Sequence, residues 1–180
     1  MLLQRAIQFK LPEVVGFLLD HGADVEAIYD GYTPLDASVK AIQPSIPVLQ
    51  TLLDHGADLN RGRVLYLCCC DLKEDAFKLL LGRGADPNKV YQNGHNTILH
   101  IAASQGEKRI VKLLLSVGAK PEVTDFHGKT PLTMAAEYGW REIVQMLVDH
   151  GAKLDITDNM NKSALIYAME ARDDLFDELS

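Results

Sequence analysis

Apolar residues in this chain fall into short runs with helical spacing, each closed by a glycine. The clearest are Ile110-Val111-x-Leu113-Leu114-Leu115 and Ile143-Val144-x-Met146-Leu147-Val148. Both place aliphatic side chains three and four residues apart, which predicts helices with one wide apolar face. Ahead of each lies a shorter run ending in paired alanines, Ala102-Ala103 and Ala135-Ala136. These keep one helix face thin, so a neighbour can approach closely. After each long run comes Gly-Ala, at Gly22, Gly56, Gly84, Gly118 and Gly151. Glycine takes up left-handed backbone without a Cβ penalty, so these positions predict helix ends. His21, His55 and His150 precede three of them, where a protonated imidazole suits the negative end of the helix.

The runs recur at a fixed distance. Thr97-Ile98-Leu99-His100 is followed 33 residues later by Thr130-Pro131-Leu132-Thr133, and Gly118 by Gly151 at the same interval. A threonine at the start is placed to cap the helix N-terminus, and a proline next to it loses no hydrogen bond in the first turn. The period and the Thr-Pro-Leu-x-x-Ala-Ala motif resemble the ankyrin repeat. The resemblance implies an all-α fold, an ankyrin-repeat solenoid of about six helix-turn-helix units with short β-hairpin fingers. Residues 1–180 are read as a single ankyrin-repeat domain with units at about 1–30, 31–60, 61–94, 95–127, 128–160 and 161–180, the first and last incomplete.

Departures from regularity carry their own expectations. In unit one, helices are expected at Leu2 to Phe9 and Pro12 to His21, with Val14, Val15, Leu18 and Leu19 inward. The loop Ala41 to Pro47 of unit two holds two prolines and predicts a stiff turn. In unit three only 7 residues separate Gly56 from Arg63, against 12 between Gly118 and Thr130. A notch bordered by Arg61 and Arg63 is expected there, either a basic recess for an acidic group or a solvated arginine pair. Cys68 and Cys69 take the places of the paired alanines and should be small core residues, with Cys70 exposed. In unit six Leu165, Ala168 and Met169 are expected inward. A second helix is expected from near Asp173, its Leu175, Phe176 and Leu179 packing on Val144 and Leu147.

Charge and chemistry narrow the function classes. Lys and Arg number 18 and Asp and Glu 25, a net charge of -7 that disfavours nucleic acid. There is no apolar run of membrane-spanning length and no signal-peptide layout at the N-terminus. The three adjacent cysteines fit a reducing compartment better than a disulfide framework. The expected location is therefore cytoplasmic, with the nucleus as the other option. No phosphate loop, nucleophile elbow or metal-spaced cluster occurs, so no catalytic residue, cofactor or metal is expected and the chain is read as a non-enzyme. Three consecutive cysteines on a helix cannot share a metal, since neighbours lie about 100° apart around the axis.

The resemblance also implies where a partner docks. Ankyrin-like units present their fingers and first helices on a concave groove. Here that groove would carry Tyr32, Tyr91, Ser104, Gln105, Phe126, His127, Lys129, Glu137 and Tyr138. The implied partner is a protein or peptide, bound by a chain that is a monomer on its own. The alternative is a substrate-targeting or scaffolding fragment of a larger multidomain protein, with an enzyme or a secreted effector as candidates. His100 is expected to tie down local backbone, as in family members. Asn60 and Asn88 end segments similar to those hydroxylated on asparagine in some ankyrin proteins.

Overall fold

The computed structural model describes residues 1–40, 43–71, 73–91 and 96–177, with 172–177 as backbone only. The chain divides into two compact units, Met1–Asp86 and Pro87–Ser180.

The first unit holds α1 (Leu2–Gln8), α2 (Pro12–Asp20), α3 (Pro34–Lys40), α4 (Ile46–Asp54), α5 (Val64–Cys70) and α6 (Glu74–Gly82). Each odd-numbered helix packs on the even one that follows, α1 and α5 pack on α3, and α2 and α6 on α4. Two rows of helices result, with Val15, Val39, Leu49, Leu52, Phe77 and Leu80 sealed between them. Burying a side chain of this size contributes about 1.5–3 kcal/mol.

The second unit starts with the only two-stranded ladder among the described residues, β1 (Val90–Tyr91) paired antiparallel with β2 (Asn96–Thr97). It continues through α7 (Ile98–Gln105), α8 (Lys108–Ser116), α9 (Pro131–Glu137), α10 (Arg141–Asp149) and α11 (Ala164–Asp177). Helix α9 packs on both α7 and α11, and α10 on both α8 and α9. The paired alanines Ala102, Ala103, Ala135 and Ala136 are buried in these contacts.

The helix ends follow from the sequence pattern. Thr130 Oγ1 accepts from the Thr133 N–H at 3.1 Å, and Thr33 Oγ1 from the Asp36 N–H at 3.1 Å, capping α9 and α3. At Gly118 the backbone is left-handed at φ 85°. Gly118 N–H then donates to the Leu115 carbonyl and Ala119 N–H to that of Leu114. These paired bonds satisfy carbonyls that the helix leaves open. The same pair forms at Gly22, Gly56, Gly84 and Gly151. His21, His55 and His150 each direct Nδ1 to the carbonyl four residues earlier, at 2.8, 2.7 and 2.8 Å.

Three expectations are corrected. Val14 is exposed, whereas its neighbour Val15 is sealed, because adjacent residues point about 100° apart on a helix. In unit six Leu165 and Met169 are exposed, and Ala164 and Tyr167 are buried instead. No second helix begins near Asp173, since α11 runs unbroken from Ala164 to Asp177. Left-handed Gly106 and Gly139 interrupt the two preceding units, and Arg172 holds the equivalent place in the 33-residue register. The short β-hairpin fingers are present as the β1–β2 ladder and as single antiparallel bridges of Tyr29 with Tyr32 and Thr157 with Ser163. The expected packing of Leu175, Phe176 and Leu179 lies outside the described residues, as do Ala41 and Ile42. Cys68 and Cys69 are buried and Cys70 is exposed, as their positions imply.

Candidate functional site

The finger before α9 is built on a buried aspartate. Asp125 Oδ1 accepts from the backbone N–H groups of His127 and Lys129, each at 2.8 Å, and so fixes the turn. Phe126 and His127 are held out at its tip, with their rings edge to face 5.7 Å apart. Thirty-three residues on, Asp158 Oδ1 accepts from Met160 and Lys162 N–H, both at 2.9 Å. Asn159 joins the two fingers, its N–H donating to the His127 carbonyl and its Nδ2 to that of Phe126.

A second repeated device links finger and helix. Lys129 Nζ donates to both carboxylate oxygens of Glu137 at 2.7 Å and lies 4.7 Å from the centre of the Tyr167 ring. Lys162 Nζ reaches Glu170 at 2.6 and 2.9 Å and the same ring at 5.3 Å. Tyr167 donates its hydroxyl to Asp158 Oδ2 at 2.7 Å. Burial alone would lower the Lys129 pKa, but the Glu137 hydrogen bonds and charge outweigh it and raise it. Burial would raise that of Asp158, and the Tyr167 hydroxyl with the Lys162 and Met160 amides reverses this to hold it down. Sequence reasoning named Lys129 and Glu137 but missed Lys162, Glu170 and Tyr167. The shared eight-residue spacing, repeated after 33, was the available signal.

His100, in the first turn of α7, lies fully buried. Its Nδ1 accepts from the Thr97 N–H at 3.2 Å, and its Nε2 donates to the Lys129 carbonyl at 3.1 Å. That pattern requires the neutral ring with hydrogen on Nε2. Burial pushes its pKa below the ordinary 6.5, against the opposing pull of the Lys129 carbonyl and the Asp125 charge. The imidazole therefore ties one repeat's helix start to the next repeat's finger, as its motif position implies.

Together these elements leave an open groove of about 220 Å³. Ser104, His127, Lys129, Glu137 and Tyr138 line it with Asn96, His100, Ile101, Asp125 and Met134. Five residues expected at a partner surface are thus brought together. Gln105 and Phe126 are exposed in the same unit but do not line the groove. Tyr91 is half-buried on β1, its ring centre 5.5 Å from Lys89 Nζ. Tyr32 belongs to the other unit, where its ring meets Lys40 at 3.9 Å and Arg63 at 5.2 Å.

The sequence model for ankyrin repeats in three copies matches residues 47–125, 65–158 and 99–179. The chain belongs to the ankyrin repeat family. Among curated proteins it is similar to the putative ankyrin repeat protein L92 of Acanthamoeba polyphaga mimivirus, 31% identical over 62% of this chain and 38% of that one. It is also similar to human ankyrin repeat and SOCS box protein 6, 31% identical over 73% of this chain and 34% of that one. The match thus spans little more than a third of these relatives' length. Among solved structures, the ankyrin repeat domain of Bcl-3 shares 27% identity with a TM-score of 0.85, covering 92% of this chain and 76% of that one. Ankyrin repeats are protein–protein interaction modules and are generally non-catalytic.

Other features of this ankyrin chain are structural. The notch residues are not a free basic recess: Arg61 Nε meets Glu26 Oε2 at 3.5 Å, and Arg63 stacks over Tyr32. The fourth residue after each of the first four Gly-Ala glycines reaches the next repeat. Glu26 accepts from Asp58 N–H at 2.7 Å, Asn60 from Asp86 N–H at 3.1 Å and Asn88 from Lys120 N–H at 2.7 Å. Glu122 takes the Lys153 ammonium at 3.3 Å. Among the described residues no three His, Cys, Asp or Glu side chains converge on a point that could hold a metal, and no helix is long and apolar enough to cross a membrane.

Proposed function

We infer that this chain is a non-catalytic binding module whose partner, a protein or peptide, docks on the groove of the unit Pro87–Ser180 and on the exposed finger tip that carries Phe126. The reading rests on one observation: two large aromatics, Phe126 at 67% and Tyr138 at 60% exposure, stand on fingers and helices cross-tied to their neighbours. Rigid exposed aromatics are the usual anchors of interfaces, since they bury much area at little entropic cost. Ser104, Gln105, His127, Lys129 and Glu137 supply the polar surround, with Tyr91 as an outlying contact. The chain acts as a monomer in the cytoplasm or nucleus.

The test is an unbiased pull-down followed by titration calorimetry with the captured partner. Changing Phe126 and Tyr138 to Ala should weaken binding by about 1–3 kcal/mol while leaving the thermal midpoint nearly unchanged. Undiminished affinity removes this surface from consideration.

A second reading is that the repeats target or scaffold a larger protein. It is favoured by the short share of the relatives that the match covers, 38% and 34%. Relatives include a mitochondrial disaggregase of Bos taurus, 36% identical over 66% of this chain and 18% of that one. Sizing the native protein on an immunoblot from its source cells decides between the two.

A further inference from the structure

The groove leaves acceptors open while its ammonium groups are engaged. Asn96 Oδ1, on the groove lining, is buried without a hydrogen-bond partner. Each Glu137 oxygen accepts one bond from Lys129 and keeps room for another. Lys129 and Lys162 are both held by a glutamate and by the Tyr167 ring. On the groove lining two carboxylates, Asp125 and Glu137, stand against one ammonium, Lys129, a surplus of one negative charge. The surplus favours a cation. At about 220 Å³ the groove is smaller than a drug-sized pocket and admits one long side chain.

We propose that the groove receives an arginine side chain from an extended basic segment of a partner protein. Its guanidinium pairs with the two oxygens of the Glu137 carboxylate and covers the exposed Tyr138 ring. Arginine fits better than lysine because its planar fork serves two acceptors at once, stacks on aromatic faces and is more weakly hydrated. An acidic or phosphorylated segment would meet the surplus negative charge with both lysines already engaged. The proposal rests on the groove being the docking surface and adds the chemistry of its occupant.

The test uses the whole chain and a short fluorescein-labelled peptide of Arg, Gly and Ser, beside twins carrying Gln or Glu in place of Arg. Anisotropy gives affinities, and amide shifts of Ser104, Glu137 and Tyr138 locate the binding. The Arg peptide should bind in the groove at least about tenfold more tightly than either twin and weaken as salt rises. Glu137→Gln and, separately, Tyr138→Ala should each cost about tenfold, with circular dichroism unchanged. Tyr138 is exposed, so its variant keeps the test valid even where Glu137→Gln disturbs Lys129. Twins that bind in the groove as tightly as the Arg peptide, or variants without effect, overturn the arginine assignment and leave the groove reading standing. No binding by the Arg peptide, or shifts confined elsewhere, overturns the assignment too, and the pull-down with Phe126 and Tyr138 variants then judges the groove separately.

Discussion

The indole N–H of Trp140 donates to the Ser104 carbonyl at 3.0 Å, so the residue opening one repeat's second helix closes the preceding repeat's first. Its ring fills the space beside Gly106, where an added Cβ would sit 2.8 Å from the indole.

Gly106→Ala should therefore cost twice over. The left-handed backbone at φ 78° penalises any Cβ, and the ring must shift. The expected loss is about 2–3 kcal/mol, with red-shifted emission from the sole tryptophan. Gly118→Ala is the control, since its φ is 85° but nothing lies within 4 Å of the new Cβ. It should cost only about 1–2 kcal/mol and leave the emission alone. Equal losses in chemical denaturation would mean that the Trp140 contact adds nothing.

Two histidines should give stability opposite slopes with pH. His100 has its native pKa lowered, mainly by burial, so its contribution is present above the unfolded value near 6.5 and lost as pH falls through the native value. His55 has its pKa raised, first by the Thr51 carbonyl and then by Asp20, which lies 3.1 Å from Nε2. Its contribution is present below 6.5 and lost as pH rises through the native value. Denaturant midpoints measured from mildly acidic to mildly alkaline pH should lose their acid slope in His100→Gln and their alkaline slope in His55→Gln. Unaltered profiles in both would refute these assignments.

Thiol labelling should count one group in the native protein and three after unfolding. Cys70 is exposed, while burial pushes the Cys68 pKa up to about 12 and leaves little thiolate to react. Fast reaction of all three at neutral pH would contradict the burial of Cys68 and Cys69.

Tyr167→Phe should destabilise the last described finger. It strips the donor from Asp158 Oδ2 in a residue only 5% exposed. A loss of about 1–3 kcal/mol is expected from thermal melts. A variant that melts with the parent would show that Asp158 finds another donor.

The repeat boundaries were legible because the fold fixes them locally. Thr-Pro starts and Gly-Ala stops each settle a helix end without reference to distant residues. Burial was most legible where a neighbour lies on both sides. Leu99, Leu132 and Leu165 share one register position, yet the first two are sealed and Leu165 is exposed. A repeat motif records the average environment of its position, and α11 has a packing partner in α9 on one side. The groove was half legible: its residues followed from the repeat, but the Lys129–Glu137–Tyr167 arrangement depends on side chains from two repeats meeting. Arg61 and Arg63 failed as a recess for the same reason, since Glu26 and Tyr32 lie far off in sequence.

The ties between fourth residues and following repeats hold whether the glycines lie 34 or 28 residues apart. The shortened unit lost the protruding tip of its finger and kept the bond at the base. Finger length and the bond at the finger's base are therefore separable. A finger tip that carries no bond to its neighbour is free to lengthen and alter what the surface reads without loosening the repeats beneath. Such a chain can change its binding vocabulary by lengthening loops while its grammar of helix contacts stays fixed.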